Sequence, residues 1–288
     1  IDVDPGVRVL VDSIKISGLT RTRDRAVRRE IQFRPGDPLT ARRILDSRRR
    51  LLDTGLFTRV RLVPQFPDST KPVADLEVEI EERKPAWYGV GAGYSSSDQA
   101  HLLTEWGMRN LDGLGRRIAL TGKLLDPRIR RGGGDLREGL IQADFLEPWV
   151  FGMRLQGIAS PYVRWLREKG FEQRTIGYDL ALRREVSRWT HVSVGLQSKH
   201  VRTTQRGVRP RYTTRFVNLD VADDRRDNVF DPTRGRYAQS LAEYAGGLLG
   251  GSNQFGRLTL NWQGCRSPQP GWVLAARVRM GGIDPLGG

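Results

Sequence analysis

The hydropathy rhythm of this 288-residue chain changes near Pro85. Upstream lies one compact strand-helix-helix-strand-strand pattern. Downstream there are only short strands with alternating faces, separated by turn signals. These strands carry apolar residues on one face and Arg, Asp, Gln or Thr on the other, and no helix is available to cover the apolar side. A soluble sandwich would need a second layer over that side, and none is supplied. Lipid can take its place, so the rhythm predicts a small α+β module followed by part of an antiparallel transmembrane β-barrel.

Composition points elsewhere at first. The formal net charge is +15 and the isoelectric point about 10.7, which raises nucleic acid as a partner. The basic residues are 42 Arg and 6 Lys, spread along the whole chain. Residues 1–86 hold 18 basic and 14 acidic side chains, and residues 87–288 the other 30 and 19. The excess follows the strands rather than one helix or arm, so no nucleic-acid partner is expected. The mean hydropathy of -0.49 and the lack of an apolar run long enough for a membrane helix suggest a soluble protein. Barrel strands evade both tests, because only alternate residues need be apolar. The sequence opens at Ile1 without Met, basic n-region or apolar h-region, so a leader is expected outside it. One cysteine, Cys265, excludes an internal disulfide framework and a multi-cysteine metal site, and reads as an incidental turn residue.

In the first module, Val9–Ile16 reads as a strand ended by Ser17-Gly18. A helix is expected from Thr22, with Asp24 in its first turn and Val27 and Ile31 on one face, until Arg34-Pro35-Gly36-Asp37-Pro38 breaks it. A second helix starts at an N-cap Thr40 and runs to about Thr54, its Ile44/Leu45 and Leu51/Leu52 pairs on one face, with Gly55 as the residue that ends it. Phe57–Pro64 and Val73–Glu82 then read as a hairpin joined through Pro67-Asp68-Ser69-Thr70. The run Arg48-Arg49-Arg50 reads as a solvated helix face.

The order of these pieces resembles the POTRA module, a periplasmic polypeptide-binding domain. Gly18, Arg29, Gly36-Asp37, Leu51, Gly55 and Phe57 all fall at that family's spacings, over about residues 7–83.

From Trp87 onward eleven strands are expected, at about 87–96, 99–109, 116–125, 137–146, 152–163, 172–184, 190–202, 211–222, 236–246, 254–263 and 272–281. In the sixth, Ile176, Tyr178, Leu180 and Leu182 alternate with Thr175, Gly177, Asp179, Ala181 and Arg183. In the eleventh, Trp272, Leu274, Ala276, Val278 and Met280 alternate with Val273, Ala275, Arg277 and Arg279. Asn110–Gly115, Glu147–Phe151, Glu185–Trp189 and Gly264–Gly271 read as compact periplasmic turns, and Asp126–Asp135 and Thr203–Pro210 as external loops. Trp106, Trp149, Trp165, Trp189, Trp262 and Trp272 lie near strand ends, as an interfacial girdle requires.

RNLDGLGRR, DFLEPWVFG and above all DDRRDNVFDPTRGRY resemble signatures of the outer-membrane assembly family typified by BamA and TamA. The last matches D-x-R-D-N…P-T-x-G through Asp224, Arg226, Asp227, Asn228, Pro232, Thr233 and Gly235. Physically this is a polar turn: Asp and Asn bond neighbouring amides, Pro fixes φ and Gly permits φ > 0. The resemblance implies a POTRA domain at 1–85 and the N-terminal part of a surface-antigen type barrel at 86–288, with about 11 of 16 strands present. The five further strands would take roughly 90 residues at the same hairpin length. The family's V-R-G-[FY] loop would begin just after Asp284-Pro285-Leu286-Gly287-Gly288.

No catalytic residue, cofactor or metal is expected. His101, His191 and His200 lack metal-ligand spacing, Ser95-Ser96-Ser97 lacks a nucleophile elbow, and GVGAGY lacks the helix and acidic partner of a dinucleotide fingerprint. The resemblance implies instead an outer-membrane protein insertase that lends unpaired backbone groups a template. Its client seam would be Tyr88, Gly89, Val90, Gly91, Ala92, Gly93 and Tyr94, where three glycines share one face and weaken pairing. A second template would be the POTRA edge at Arg59, Val60, Arg61, Leu62 and Val63. The implied partners are unfolded outer-membrane clients, the lipid bilayer, and periplasmic or lipoprotein accessory subunits. The competing reading is a two-partner-secretion exporter or passive channel.

Overall fold

The computed structural model describes residues 8–67, 71–95, 99–126, 138–168, 170–205 and 208–285. Most of the expected links Pro67–Thr70 and Asp126–Asp135, residues 206–207 of the expected loop Thr203–Pro210, Ser96 and Ser97, and residues 286–288 lie outside the described residues. The chain forms two compact units, one of residues Ile1–Trp87 with Gly107–Ile118, the other of Tyr88–Trp106 with Ala119–Gly288.

In the first unit, β1 (Leu10–Ser17), β2 (Phe57–Gln65) and β3 (Val73–Glu82) form a sheet in the order β1-β3-β2. β1 runs parallel to β3, Leu10 opposite Val73 and Ser17 opposite Glu79, and β2 is antiparallel to β3. The helices α1 (Asp24–Arg28) and α2 (Ala41–Asp53) contribute Val27 and Leu51 to a core with Val11, Ile31, Phe33, Leu56, Phe57, Val60, Leu76, Val78 and Ile80. Of the two leucine-bearing pairs on α2, only Ile44 and Leu51 turn inward, whereas Leu45 and Leu52 are exposed. Seven residues make slightly less than two full turns, so the seven-residue repeat keeps one member of each pair on the core stripe.

Thr40 caps α2 as expected, its hydroxyl accepting the Arg43 amide at 3.4 Å, and Gly55 follows the helix at φ +69°. The first helix departs from expectation. Its N-cap is Arg23, without a side-chain cap, and it is five residues long. Thr22 is diverted to a tertiary bond described below.

From Ala86 onward the described residues form strands separated by turns and two short 3₁₀ segments: β4 (Ala86–Ser95), β5 (Gln99–Met108), β6 (Arg117–Asp126), β7 (Glu138–Glu147), β8 (Gln156–Glu168), β9 (Phe171–Glu185), β10 (Thr190–Gln205), β11 (Arg211–Asp224), β12 (Gly235–Ala245), β13 (Phe255–Gln269) and β14 (Trp272–Pro285). They form one eleven-stranded sheet in strict chain order, with β4 and β14 at its ends. The resolved pairings from β7 to β14 are all antiparallel. Together with the module this is a POTRA fold followed by an incomplete BamA-like barrel. Among the described residues no helix is long and apolar enough to cross a membrane, which says nothing of strands.

Two expectations are corrected here. The fifth strand of the sheet starts at Gln156 rather than near 152, because Val150–Gly152 turns as a short 3₁₀ segment with Phe151 at φ +54°. Gly264–Gln269 belongs to β13, so the turn to β14 is only Pro270-Gly271, and Cys265 is a buried strand residue opposite Gly235 and Ala275.

The alternation on β9 has physical content. Ile176, Tyr178, Leu180 and Leu182 are 39–47 % exposed. Their register partners on that face include Pro161, Ala159 and Leu196. On the opposite face several polar groups pair with one another. Ser160 and Gln142 donate to Asp144 at 2.6 and 2.8 Å, Gln239 donates to Asp220 at 2.9 Å, and Arg257 pairs with Glu243. An apolar face left bare beside a face of paired polar side chains is the arrangement lipid on one side requires.

Candidate functional site: two strand edges and a polar turn

A strand edge offers N–H and C=O groups to another chain, and the molecule presents two such edges of interest. The first is β4. It ends the sheet, with Tyr88, Val90 and Tyr94 75–86 % exposed on one face. Gly89, Gly91 and Gly93 lie on the other, beside β5. A Cβ at Gly93 would stand 2.3 Å from the His101 ring, one at Gly91 would meet only Leu103 at 3.9 Å, and one at Gly89 would meet nothing within 4 Å. Only at Gly93 would a side chain press on a neighbour, the His101 ring; all three leave the strand thin.

The second edge is β2. In the module, one outer edge is covered and the other is not. β1 is flanked by the segment after α1: Gly36 N–H donates to Val11 O at 2.8 Å, Val11 N–H to Asp37 O at 2.9 Å, and Leu39 N–H to Val9 O at 2.9 Å. Gly36 takes φ +88° to make this return. Among the described residues no backbone bond covers the outer side of β2, which holds Arg59, Val60, Arg61, Leu62 and Val63. Arg59 and Arg61 face Glu81 and Glu79 of β3 at 3.8 and 3.3 Å. Such exposed pairs add little stability, and they leave the edge backbone open.

The motif turn between β11 and β12 is saturated by its own chain. Asp227 accepts the amides of Asn228, Thr233 and Arg234 at 3.0–3.1 Å and the Thr233 hydroxyl at 2.5 Å. The bond from the Thr233 hydroxyl, with those from the amides, holds the Asp227 carboxyl at about 2. Asp224 receives both the amide and the guanidinium of Arg226, and Asn228 receives the amides of Phe230 and Asp231. Gly235, at φ +106°, would place a Cβ 2.2 Å from Arg225 O. This accounts for every polar residue type in the motif on structural grounds, and it leaves Phe230 97 % exposed at the tip.

Sequence reasoning missed Glu82. This carboxylate, at the end of β3, accepts the amides of Thr20, Arg21 and Thr22 at 2.8–3.2 Å and the Thr20 hydroxyl at 2.7 Å. Partial burial pushes its pKa up, but the bonds from Thr22 and Thr20 outweigh that and hold it at about 2. The T-R-T stretch and Glu82 are some 60 residues apart, and no local periodicity joins them.

Comparison with known proteins gives the family and the fold. Residues 110–288 match the Omp85 superfamily domain, and residues 9–83 match POTRA, the surface antigen variable number repeat. The outer membrane protein assembly factor BamA of Nitratidesulfovibrio vulgaris is 23 % identical over 287 residues, covering 96 % of this chain and 35 % of that protein. BamA of Neisseria meningitidis serogroup B is 23 % identical over 235 residues, 79 % of this chain and 28 % of that protein. The chain thus spans about a third of the length of these curated relatives. Among solved structures, BamA from Haemophilus ducreyi lacking POTRA domains 1-3 superposes with a TM-score of 0.75 at 18 % identity, over 99 % of this chain and 57 % of that one. CdiB from Acinetobacter baumannii does so at 0.59 and 15 % identity, over 97 % and 53 %. With more than half of its length matched by the superfamily domain, and a POTRA repeat ahead of it, the chain belongs to the Omp85 superfamily.

Proposed function

We propose that this chain is the client-handling part of an outer-membrane β-barrel assembly and insertion factor, with its POTRA module in the periplasm. A client strand crossing into hydrocarbon must satisfy every N–H and C=O, each unsatisfied group costing several kcal/mol. The end strand β4 supplies the template, from Tyr88 to Tyr94, and the β2 edge from Arg59 to Val63 receives the same client earlier. Clients, bilayer and periplasmic or lipoprotein accessory subunits are the partners of this reading, and no catalytic group takes part. The observation that carries it is the thin, glycine-faced end strand placed directly after a POTRA module that leaves one sheet edge open.

The similarity to CdiB keeps a second reading in view, that of a polypeptide exporter. The two differ in where a client touches. A photo-crosslinker at Val90 should capture an unfolded outer-membrane client during insertion, while one at Gln197, on the polar face of β10, should not. Capture at Gln197 alone would sink the assembly reading in favour of export.

A further inference from the structure

The root of β4 is held by an unusual density of contacts, all within the first compact unit. Two guanidiniums lie over the Trp87 ring, Arg109 at 4.4 Å and Arg117 at 4.7 Å from its centroid. Gly107 lies beneath the ring, where a Cβ would stand 2.0 Å from it. The Arg109 amide donates to Pro85 O at 2.7 Å and its guanidinium to Lys84 O at 3.4 Å. Residues 84–87 are therefore bound on both backbone and side chain by the two ends of the β5–β6 turn.

That turn is itself docked on the module. Asn110 donates its side-chain amide to the Thr22 hydroxyl at 2.9 Å, the Arg23 amide donates to Gly113 O at 2.8 Å, and Arg29 donates to Leu114 O at 2.5 Å. Gly113 sits at φ +80°, and a Cβ there would come within 2.7 Å of Arg21 O. The loop that receives the turn, Thr20 to Thr22, is the one wrapped around Glu82. Glu82 in turn lies two residues before Lys84. The contacts thus close a circuit: Glu82, loop 20–23, turn 110–114, Arg109 and Arg117, Trp87, and back along the chain.

We infer that Glu82, Asn110, Arg109 and Arg117 are positioning residues of the seam, immobilising the root of β4 so that its edge is offered to a client as an ordered template. The inference rests on the proposed function. A disordered template would have to be ordered anew at each client encounter, and that entropy would be subtracted from every pairing. A closed circuit removes the cost beforehand, and it explains why the turn carries Asn110, with φ +60°, and Gly113 where a shorter connection would join the same strands.

The test uses the intact, membrane-inserted protein in liposomes, an unfolded eight-stranded outer-membrane barrel as the client probe, and hydrogen exchange as the structural readout. Glu82→Gln should speed exchange not only at 20–22 but also at 107–117, and slow client insertion about tenfold, the scale of one lost hydrogen bond to a charged group. Arg117→Ala should do the same without touching the module's core, and Arg117→Lys, which keeps the cation over Trp87, should restore both. Faster exchange confined to 20–22 would overturn the inference by showing that the circuit does not transmit. Faster exchange throughout with insertion at the wild-type rate would overturn the positioning role alone. A wild-type protein that inserts no client would overturn the assembly reading, and the seam role with it.

Discussion

The two sheets of this molecule treat the same residue types in opposite ways. In the three-stranded sheet Val11, Phe57, Val60, Leu76 and Val78 are sealed beneath two helices, and charged residues such as Arg59, Arg61 and Glu81 stand outside. In the eleven-stranded sheet Leu180, Leu182, Leu258, Leu260 and Met280 stand outside, while Ser160, Thr175, Thr214 and Glu243 are buried. Both follow one rule, that each face seeks the medium that solvates it. The module supplies its own apolar medium by folding helices over the sheet. The long sheet supplies none and must borrow it, so its amphipathicity is a statement about its surroundings as much as about its core.

The strongest way to break that comparison is to remove a keystone from the region that makes its own core. Phe57→Ala should destabilise the module by about 3–5 kcal/mol, since Phe57 is among the largest fully buried side chains. Limited proteolysis should then cut within residues 8–83 while the strand region stays resistant. Cleavage spreading into the strands would show that the two regions share one cooperative unit.

A second substitution probes the borrowed medium. Leu180→Arg should cost about 2–4 kcal/mol if that face meets the bilayer midplane, whereas Gln197→Arg on the opposite face should be nearly neutral. Urea titrations in lipid vesicles would compare them. Equal losses would mean that the alternation does not separate lipid from water.

Gly235→Ala tests the region between these extremes, where neither lipid nor core decides. The positive φ and the 2.2 Å approach to Arg225 O predict a loss of about 1–3 kcal/mol, read as a lowered unfolding midpoint with the strands otherwise intact.

The smallest expected effect is that of acid, because both carboxylates involved are partly screened by solvent. Glu82 and Asp227 each fall to about 2 in the folded protein, from 4.5 and 3.8. A depressed pKa stabilises fully above the unfolded value and is lost as pH falls through the folded one. Hydrogen exchange at 20–22 and 233–234, corrected for its intrinsic pH dependence, should therefore stay slow at pH 5 and rise only between about pH 4 and pH 2. A rise at one site well above pH 4 would separate the two regions in a way the structure does not.

Much of this was legible beforehand because it is local. Alternation and turn signals marked eleven strands in the long sheet, with some ends misplaced, and Thr40 and Gly55 bracket α2 by capping chemistry alone. What local pattern could not show is what distant chain does to a residue. Thr22 has the composition of an N-cap, yet its hydroxyl accepts from Asn110, 88 residues away, and its amide is taken by Glu82, so Arg23 starts the helix instead. Cys265 sits among turn-forming residues in sequence but is held in the sheet by Gly235 and Ala275. The β4 and β2 segments could be named from the sequence as candidate edges. That β1 would be covered by Gly36–Leu39 and β2 left open depends on a chain return that no periodicity encodes.

The parallel pairing of β1 with β3 has a consequence in time. Leu10 meets Val73, and between them lie both helices and β2. A chain delivered across a membrane from its N-terminus must hold β1 unpaired until β3 has emerged, and loop closure over such a span is slow compared with forming a helix or a hairpin. The last residues needed to complete the module, ending at Glu82, are followed almost at once by β4. Maturation of the module is therefore clocked to the arrival of the first long-sheet strand: a vectorial order of folding written into the topology.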